Sequence, residues 1–208
     1  MTSDLILYTN PMSRGRIARW MLEEAGAVYE TRVLDYGTTM KAPDYLRINP
    51  MGKVPAIVHK GVAVTETAAI CAYLADAFPE AGLAPAIGDP LRGAWYRWLF
   101  YAAGPYEASF GDKAMGVEVP ADKRAMVGYG CFADVMNTVE AALAQGPYIL
   151  GDRFSAADVY LGSQIGFGLQ FGMTEPRPAF AAYWQRLIER PAHIRATALD
   201  DALMPKTA

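Results

Sequence analysis

The sequence predicts an α/β domain followed by an all-α domain, and three observations carry that prediction. Residues 5–78 alternate short β-prone runs with helical patterns in the order β-α-β-α-β-β-α. The stretch Phe78 to Pro90 then holds Pro79, Gly82, Pro85, Gly88 and Pro90 with little periodicity, which reads as a linker. From Pro90 to about residue 203 the patterns are helical and no convincing strand occurs. The expected domains are 1–79 and 90–208, joined by 80–89.

In the first part, LILYT at residues 5–9 is a β-prone run that stops at the turn signal Asn10-Pro11. A helical pattern begins at Ser13, with Ile17, Trp20, Met21 and Ala25 on one face and Gly26 as its stop. The Ser13 hydroxyl therefore sits near unpaired N–H groups and the positive end of a helix dipole. Tyr29 to Leu34 returns to a strand pattern, and a short irregular helix is expected around Asp44 to Ile48. Val54 to Val58 and Val62 to Val64, separated by Lys60-Gly61, read as a hairpin at the edge of a sheet. The next helix places Ile70, Tyr73, Leu74, Ala77 and Phe78 on one face, against the hairpin it grows from. A parallel βαβ unit followed by an antiparallel hairpin and a closing helix is the thioredoxin-like arrangement. Pro55 breaks the strand rule. It is either an ordinary trans edge proline or part of a cis bond that turns the Val54 N–H and C=O outward toward an extended ligand.

In the helical part, Trp95, Tyr96, Trp98, Leu99, Phe100 and Tyr101 surround the helix Leu91 to Tyr101, which asks for burial from several sides. Gly104-Pro105 interrupts or kinks it. Ala121 to Gln145 reads as one amphipathic helix with Phe132, Val135, Met136, Val139 and Leu143 on its face. Ser155 and Asp158 form a capping box, with Phe154 and Val159 at the staple positions. Helices at about 178–189 and 192–202 flank Arg190-Pro191.

A net charge of −3 provides no basic patch, which argues against nucleic acid and anionic membrane surfaces as main partners. No apolar run is long enough for a membrane helix, and the N-terminus lacks a signal-peptide pattern, so a cytoplasmic location is expected. Cys71, Cys131, His59 and His193 lack ligand-spaced neighbours, so no metal site is expected, and both cysteines read as small apolar residues on helices.

The run Asn-Pro-Met-Gly-Lys-Val-Pro-Ala at residues 49–56, followed after the hairpin by Glu66-Thr67 and Ala69-Ile70 with Tyr73-Leu74, resembles the glutathione site of cytosolic glutathione S-transferases. The likeness points to their bacterial, serine- or cysteine-type, theta- or beta-like members. It implies a cis Val54-Pro55 bond, glutathione as co-substrate, a homodimer, and an electrophile pocket supplied by the helical domain. Glu66 would pair with the γ-glutamyl amine, Thr67 with the neighbouring carboxylate, and the Val54 backbone with the cysteinyl unit. Lys41 or Lys53 would reach the glycine carboxylate. Relatives often carry His-Lys where this chain has Met40-Lys41, which shifts the glycine-end contact onto the two lysines.

A free thiol with pKa about 8.5 needs activation at neutral pH. Ser13 ranks first as the activating group, with Tyr8 and Asn10 as alternates. Met12, Tyr106, Phe110, Met115 and Phe167 are candidates for the apolar pocket, each of which core packing would equally explain. The expected activity is conjugation of glutathione to small hydrophobic electrophiles, with peroxide reduction as an accompanying reaction. Alternatives are a glutathione-dependent isomerase or dehalogenase, and a non-catalytic binding or regulatory protein of the same fold.

Overall fold

The computed structural model describes residues 4–204; residues 1–3 and 205–208, at the ends of the two expected domains, lie outside the described residues. Packing groups the chain into two compact units, Met1–Leu83 with Glu189–Ala208, and Ala84–Ile188.

The first unit is built on a four-stranded sheet of order β2-β1-β3-β4. Strand β1 (Leu5–Thr9) leads to helix α1 (Gly15–Glu24) and then to β2 (Glu30–Val33), which lies parallel to β1. The β1-α1-β2 crossover makes that parallel pairing possible. A short 3₁₀ turn (Thr39–Lys41) and helix α2 (Pro43–Leu46) precede β3 (Ala56–His59) and β4 (Val62–Thr65), both antiparallel to their neighbours. His59 pairs with Val62 across Lys60 and Gly61, whose φ values of 51° and 79° give the doubly left-handed two-residue turn that suits a twisted hairpin. Leu5, Leu7 and Thr9 are buried, as befits a central strand, whereas β4 is the exposed edge.

Helix α3 (Thr67–Ala77) buries Thr67, Ile70, Cys71, Leu74 and Ala75. This face is turned from the expected one because α3 packs against α1 as well as the hairpin. Tyr73 and Phe78 instead cover His59: the Tyr73 hydroxyl meets its Nδ1 at 2.9 Å, and the Phe78 ring stacks on it at 5.9 Å.

In the second unit, α4 (Leu91–Tyr101) continues through one π-turn, Ala102–Tyr106, into α5 (Glu107–Ala114). The wider turn accommodates Pro105, which has no N–H to give. Only Trp95, Trp98 and Leu99 of α4 are buried, while Phe100 is 70% exposed, so one face rather than the whole circumference is covered within the chain. The single helix expected over Ala121 to Gln145 is two elements. A 3₁₀ stretch at Ala121–Met126 is separated from α6 (Phe132–Leu143) by a turn through Gly128 and Gly130, the latter at φ 68°. Cys131 accordingly caps α6 instead of lying within a helix, and its thiol donates to Asp134 at 3.1 Å. Val135, Met136 and Val139 form the buried stripe, as their spacing predicts.

Helix α7 (Ala156–Gln170) starts at the expected capping box and is buried along most of its length. The buried Asp158 carboxylate accepts from the N–H groups of Ser155 and Ile149 and from the hydroxyls of Ser155 and Tyr183. Helix α8 (Pro178–Ile188) completes this unit.

The last helix, α9 (Pro191–Asp201), packs in the first unit, against α1. The expected domain 90–208 groups it instead with the other helices. Arg19 of α1 donates from Nε to Asp200 at 2.7 Å, with both side chains almost fully buried. Arg190 grips Glu24 through two hydrogen bonds, at 2.6 and 2.8 Å. Among the described residues no helix is long and apolar enough to cross a membrane.

Candidate functional site

The sheet register gathers the motif residues at one end of the first unit. Tyr8 pairs with Ala56, and Ala56 with Thr65, so the end of β1, the start of β3 and the end of β4 lie side by side. The loop carrying Ser13 leaves the first of these, Val54-Pro55 enters the second, and Glu66-Thr67 follows the third.

Ser13 stands just before α1, where no acidic side chain offsets the positive helix end. Its hydroxyl donates to the Asn10 carbonyl at 2.7 Å and accepts from the Gly15 N–H at 2.9 Å. Gly15 permits that closeness, since a Cβ there would stand 1.9 Å from Thr9 Oγ1 and 3.0 Å from Ser13 Oγ. Asn10 is buried and committed to the loop: its Nδ2 donates to the Leu34 carbonyl at 2.8 Å, and its Oδ1 accepts from the Met12 N–H at 2.9 Å. Both halves of the Asn10 amide are thus taken by structure. Tyr8 belongs to a small core with Met40, Tyr45 and Ala56, and its hydroxyl accepts from Arg32 at 3.3 Å. Of the three candidates, Ser13 alone combines partial exposure with a place at the helix mouth.

The Val54-Pro55 bond is cis, as the resemblance implies. Val54 lies outside the pairing register of β3, so its N–H and C=O belong to no ladder. Lys53 is exposed at its side chain, while its carbonyl accepts from the buried Tyr45 hydroxyl and from Asn49 Nδ2. Lys41 donates one of its three N–H groups to the Met51 carbonyl at 2.9 Å. The Asn49–Lys53 loop approaches the 3₁₀ turn so closely that a Cβ at Gly52 would meet the Met40 carbonyl at 2.6 Å. Met40 fills the core beneath Tyr8 and Tyr45, and Lys41 remains outside.

Glu66 adopts φ 66°, ψ 120°, a conformation that costs a non-glycine residue roughly 1–3 kcal/mol and tends to accompany function. It exposes the carboxylate at the N-cap of α3, while Thr67 is buried as the first residue of the helix. A carboxylate beside the N–H groups of a helix start can bind an amine and a carboxylate that share one carbon.

The expected pocket residues differ in exposure. Tyr106 is fully buried and stacks on Phe110 at 6.1 Å, and burial pushes its phenol up to about 12, so it presents no surface to a ligand. Phe110 and Phe167 are half-buried. Met115 at the end of α5 and Met12 beside Ser13 are exposed.

Two family models match the chain: the glutathione S-transferase N-terminal domain over residues 3–76 and the C-terminal domain over 127–186. The glutathione S-transferase GST-4.5 of Xanthomonas campestris pv. campestris is 30% identical over 188 residues, spanning 88% of this chain and 92% of the relative. The chain belongs to the glutathione S-transferase family. A glutathione transferase structure from Methylococcus capsulatus is 32% identical to this transferase, with TM-score 0.80 over 95% of this chain and 99% of that one. A Sulfitobacter homologue with bound glutathione is 28% identical, with TM-score 0.78 over 98% and 100% of the two chains. In this transferase the N-terminal match includes Ser13, Lys41, Lys53, Val54, Glu66 and Thr67.

Three contributors to the site escaped the sequence reading: the anchoring role of Asn10, and the donors Tyr45 and Asn49 behind Lys53. A signal existed. Asn-Pro-Met occurs at residues 10–12 and again at 49–51, and in both the asparagine Oδ1 accepts from the methionine N–H while Nδ2 donates to a more distant carbonyl.

Proposed function

We propose that this transferase adds the thiolate of glutathione to small hydrophobic electrophiles, with Ser13 as the group that stabilises the thiolate. The observation that carries this reading is the convergence of the Ser13 loop, Val54-Pro55 and Glu66-Thr67 at one end of the sheet. Glu66 takes the γ-glutamyl amine, Thr67 with the α3 N-terminus takes the neighbouring carboxylate, and the Val54 N–H and C=O pair with the cysteinyl backbone. Lys41 and Lys53 serve the glycine carboxylate. The Ser13 hydroxyl turns from the neutral Asn10 carbonyl to the sulfur, exchanging a weaker acceptor for a charged one, while the Gly15 N–H stays on its oxygen.

A glutathione-dependent assay with a chloronitrobenzene, extended to hydroperoxides, isomerisable substrates and haloaromatics, tests this. Conjugation is expected. Absence of any thiol chemistry across the panel would remove the reading. The functional form is a homodimer, for which the exposed Phe100 and half-exposed Tyr96 on α4 supply apolar surface. Light scattering at micromolar concentration should return twice the chain mass.

A further inference from the structure

We infer that Tyr45 and Asn49 are positioning residues for glutathione, acting through the carbonyl of Lys53. The inference rests on the reading that the Val54 backbone receives the peptide, and it extends that reading to two side chains that touch no ligand themselves.

The Lys53 carbonyl and the Val54 N–H belong to the same planar peptide unit, so whatever fixes one aims the other. Two buried donors converge on that oxygen, the Tyr45 hydroxyl and Asn49 Nδ2, the latter at 2.8 Å. Each is itself held. The Tyr45 ring packs on Tyr8 at 5.5 Å and sits in the small core with Met40 and Ala56, and burial pushes its phenol up to about 12, so it remains a donor throughout the working pH range. Asn49 is oriented by the Met51 N–H, which donates to its Oδ1 at 3.1 Å. A carbonyl with two lone pairs and two locked donors leaves the Lys53-Val54 plane little freedom to rotate. The Val54 N–H is thereby presented in one orientation before any ligand arrives, and a preorganised donor binds more tightly than one that must be ordered on binding.

The test compares Tyr45→Phe, Asn49→Asp and the double variant with the wild type. Tyr45→Phe keeps the ring and removes only the hydroxyl; Asn49→Asp keeps the acceptor for Met51 and removes the donor. Calorimetry with glutathione should show each single variant binding about 3- to 10-fold more weakly, as expected for losing one hydrogen bond. The double variant should lose more than the product of the two, because the first loss leaves one donor on the carbonyl and the second leaves none. In steady-state assays KM for glutathione should rise by similar factors, while KM for the electrophile and kcat change by less than about 2-fold. The pH dependence of thiolate absorbance in bound glutathione should not move, since neither residue faces the sulfur. Wild-type affinity in the double variant, or a fall confined to kcat, overturns the inference. If one variant fails to fold, the other single variant retains the same readouts. Failure of the wild type itself to bind glutathione would instead sink the proposed function on which the inference stands.

Discussion

Replacing Asp158 by asparagine should destabilise the helical unit by an amount that depends on pH in a direction the structure dictates. The carboxylate accepts four hydrogen bonds: from Ile149 N–H and Tyr183 O–H on Oδ1, at 2.8 and 2.9 Å, and from Ser155 N–H and O–H on Oδ2, at 2.8 and 3.1 Å. An amide turns one of those oxygens into a donor. The hydroxyls can rotate, but in either amide orientation one buried backbone N–H, that of Ile149 or of Ser155, faces an NH₂ group. Relative to the ionised carboxylate, the form present at neutral pH, such an orphaned donor costs about 1–3 kcal/mol. Burial pushes the wild-type carboxyl up from 3.8 to about 6, against the downward pull of its hydrogen bonds. The folded pKa therefore lies above the unfolded one. The stability tied to this group is complete below about pH 4 and is lost as pH rises through 6; a shift of roughly two units is worth about 3 kcal/mol. Asparagine does not titrate. The deficit of the variant should be largest near pH 4 and shrink by up to about 3 kcal/mol toward pH 7. Urea unfolding of both proteins at several pH values measures the difference, in which other titrating groups cancel. A deficit that grows with pH, or one that stays under about 0.5 kcal/mol throughout, would refute the reasoning.

Other perturbations address the site and its scaffold. Ser13→Ala should lower kcat roughly 10- to 1000-fold, as for loss of one preorganised donor to a developing anion, with glutathione affinity nearly kept; full activity would reassign the thiol partner. Glu66→Ala should weaken glutathione binding by about 1.5–3 kcal/mol, the worth of a charged hydrogen-bond partner, and calorimetric affinity equal to wild type would exclude it from the γ-glutamyl contact. Arg19→Met leaves the buried Asp200 without its ion-pair partner and should cost roughly 3–5 kcal/mol in unfolding free energy at neutral pH. Burial already holds the Asp200 carboxyl above its usual range in spite of Arg19, so the variant's deficit should ease as the carboxyl protonates in acid; a loss below about 1 kcal/mol at neutral pH would contradict this.

The strands and most helices were legible because glycine, proline and the apolar period mark them. The exceptions have physical causes. Reading Ala121 to Gln145 as one helix counted periodicity and passed over Gly128 and Gly130, where the chain turns. The attachment of α9 to the first unit was hidden because its buried side is Ala192, Ala196 and Asp200, two small residues and a charge that show no hydrophobic stripe. In the site, the residues of the Lys53-Val54-Pro55 and Glu66-Thr67 motifs were readable since they are contiguous. Tyr45 and Asn10 were harder to see, because a side chain that serves a backbone carbonyl leaves no periodic trace.

The paired Asn-Pro-Met turns also bear on how the protein ages. Asparagine usually deamidates when the nitrogen of the following residue attacks the side-chain amide and closes a five-membered imide, a reaction that requires that nitrogen to carry a hydrogen. Pro11 and Pro50 have none. The two asparagines that brace the loop before α1 and the segment before Val54 are therefore shielded from the commonest spontaneous route to aspartate. Had either become aspartate, its Nδ2 donor would have been replaced by an oxygen facing a carbonyl, at Leu34 in one case and Lys53 in the other. The residue that fixes each turn thus also preserves the side chain on which the turn depends.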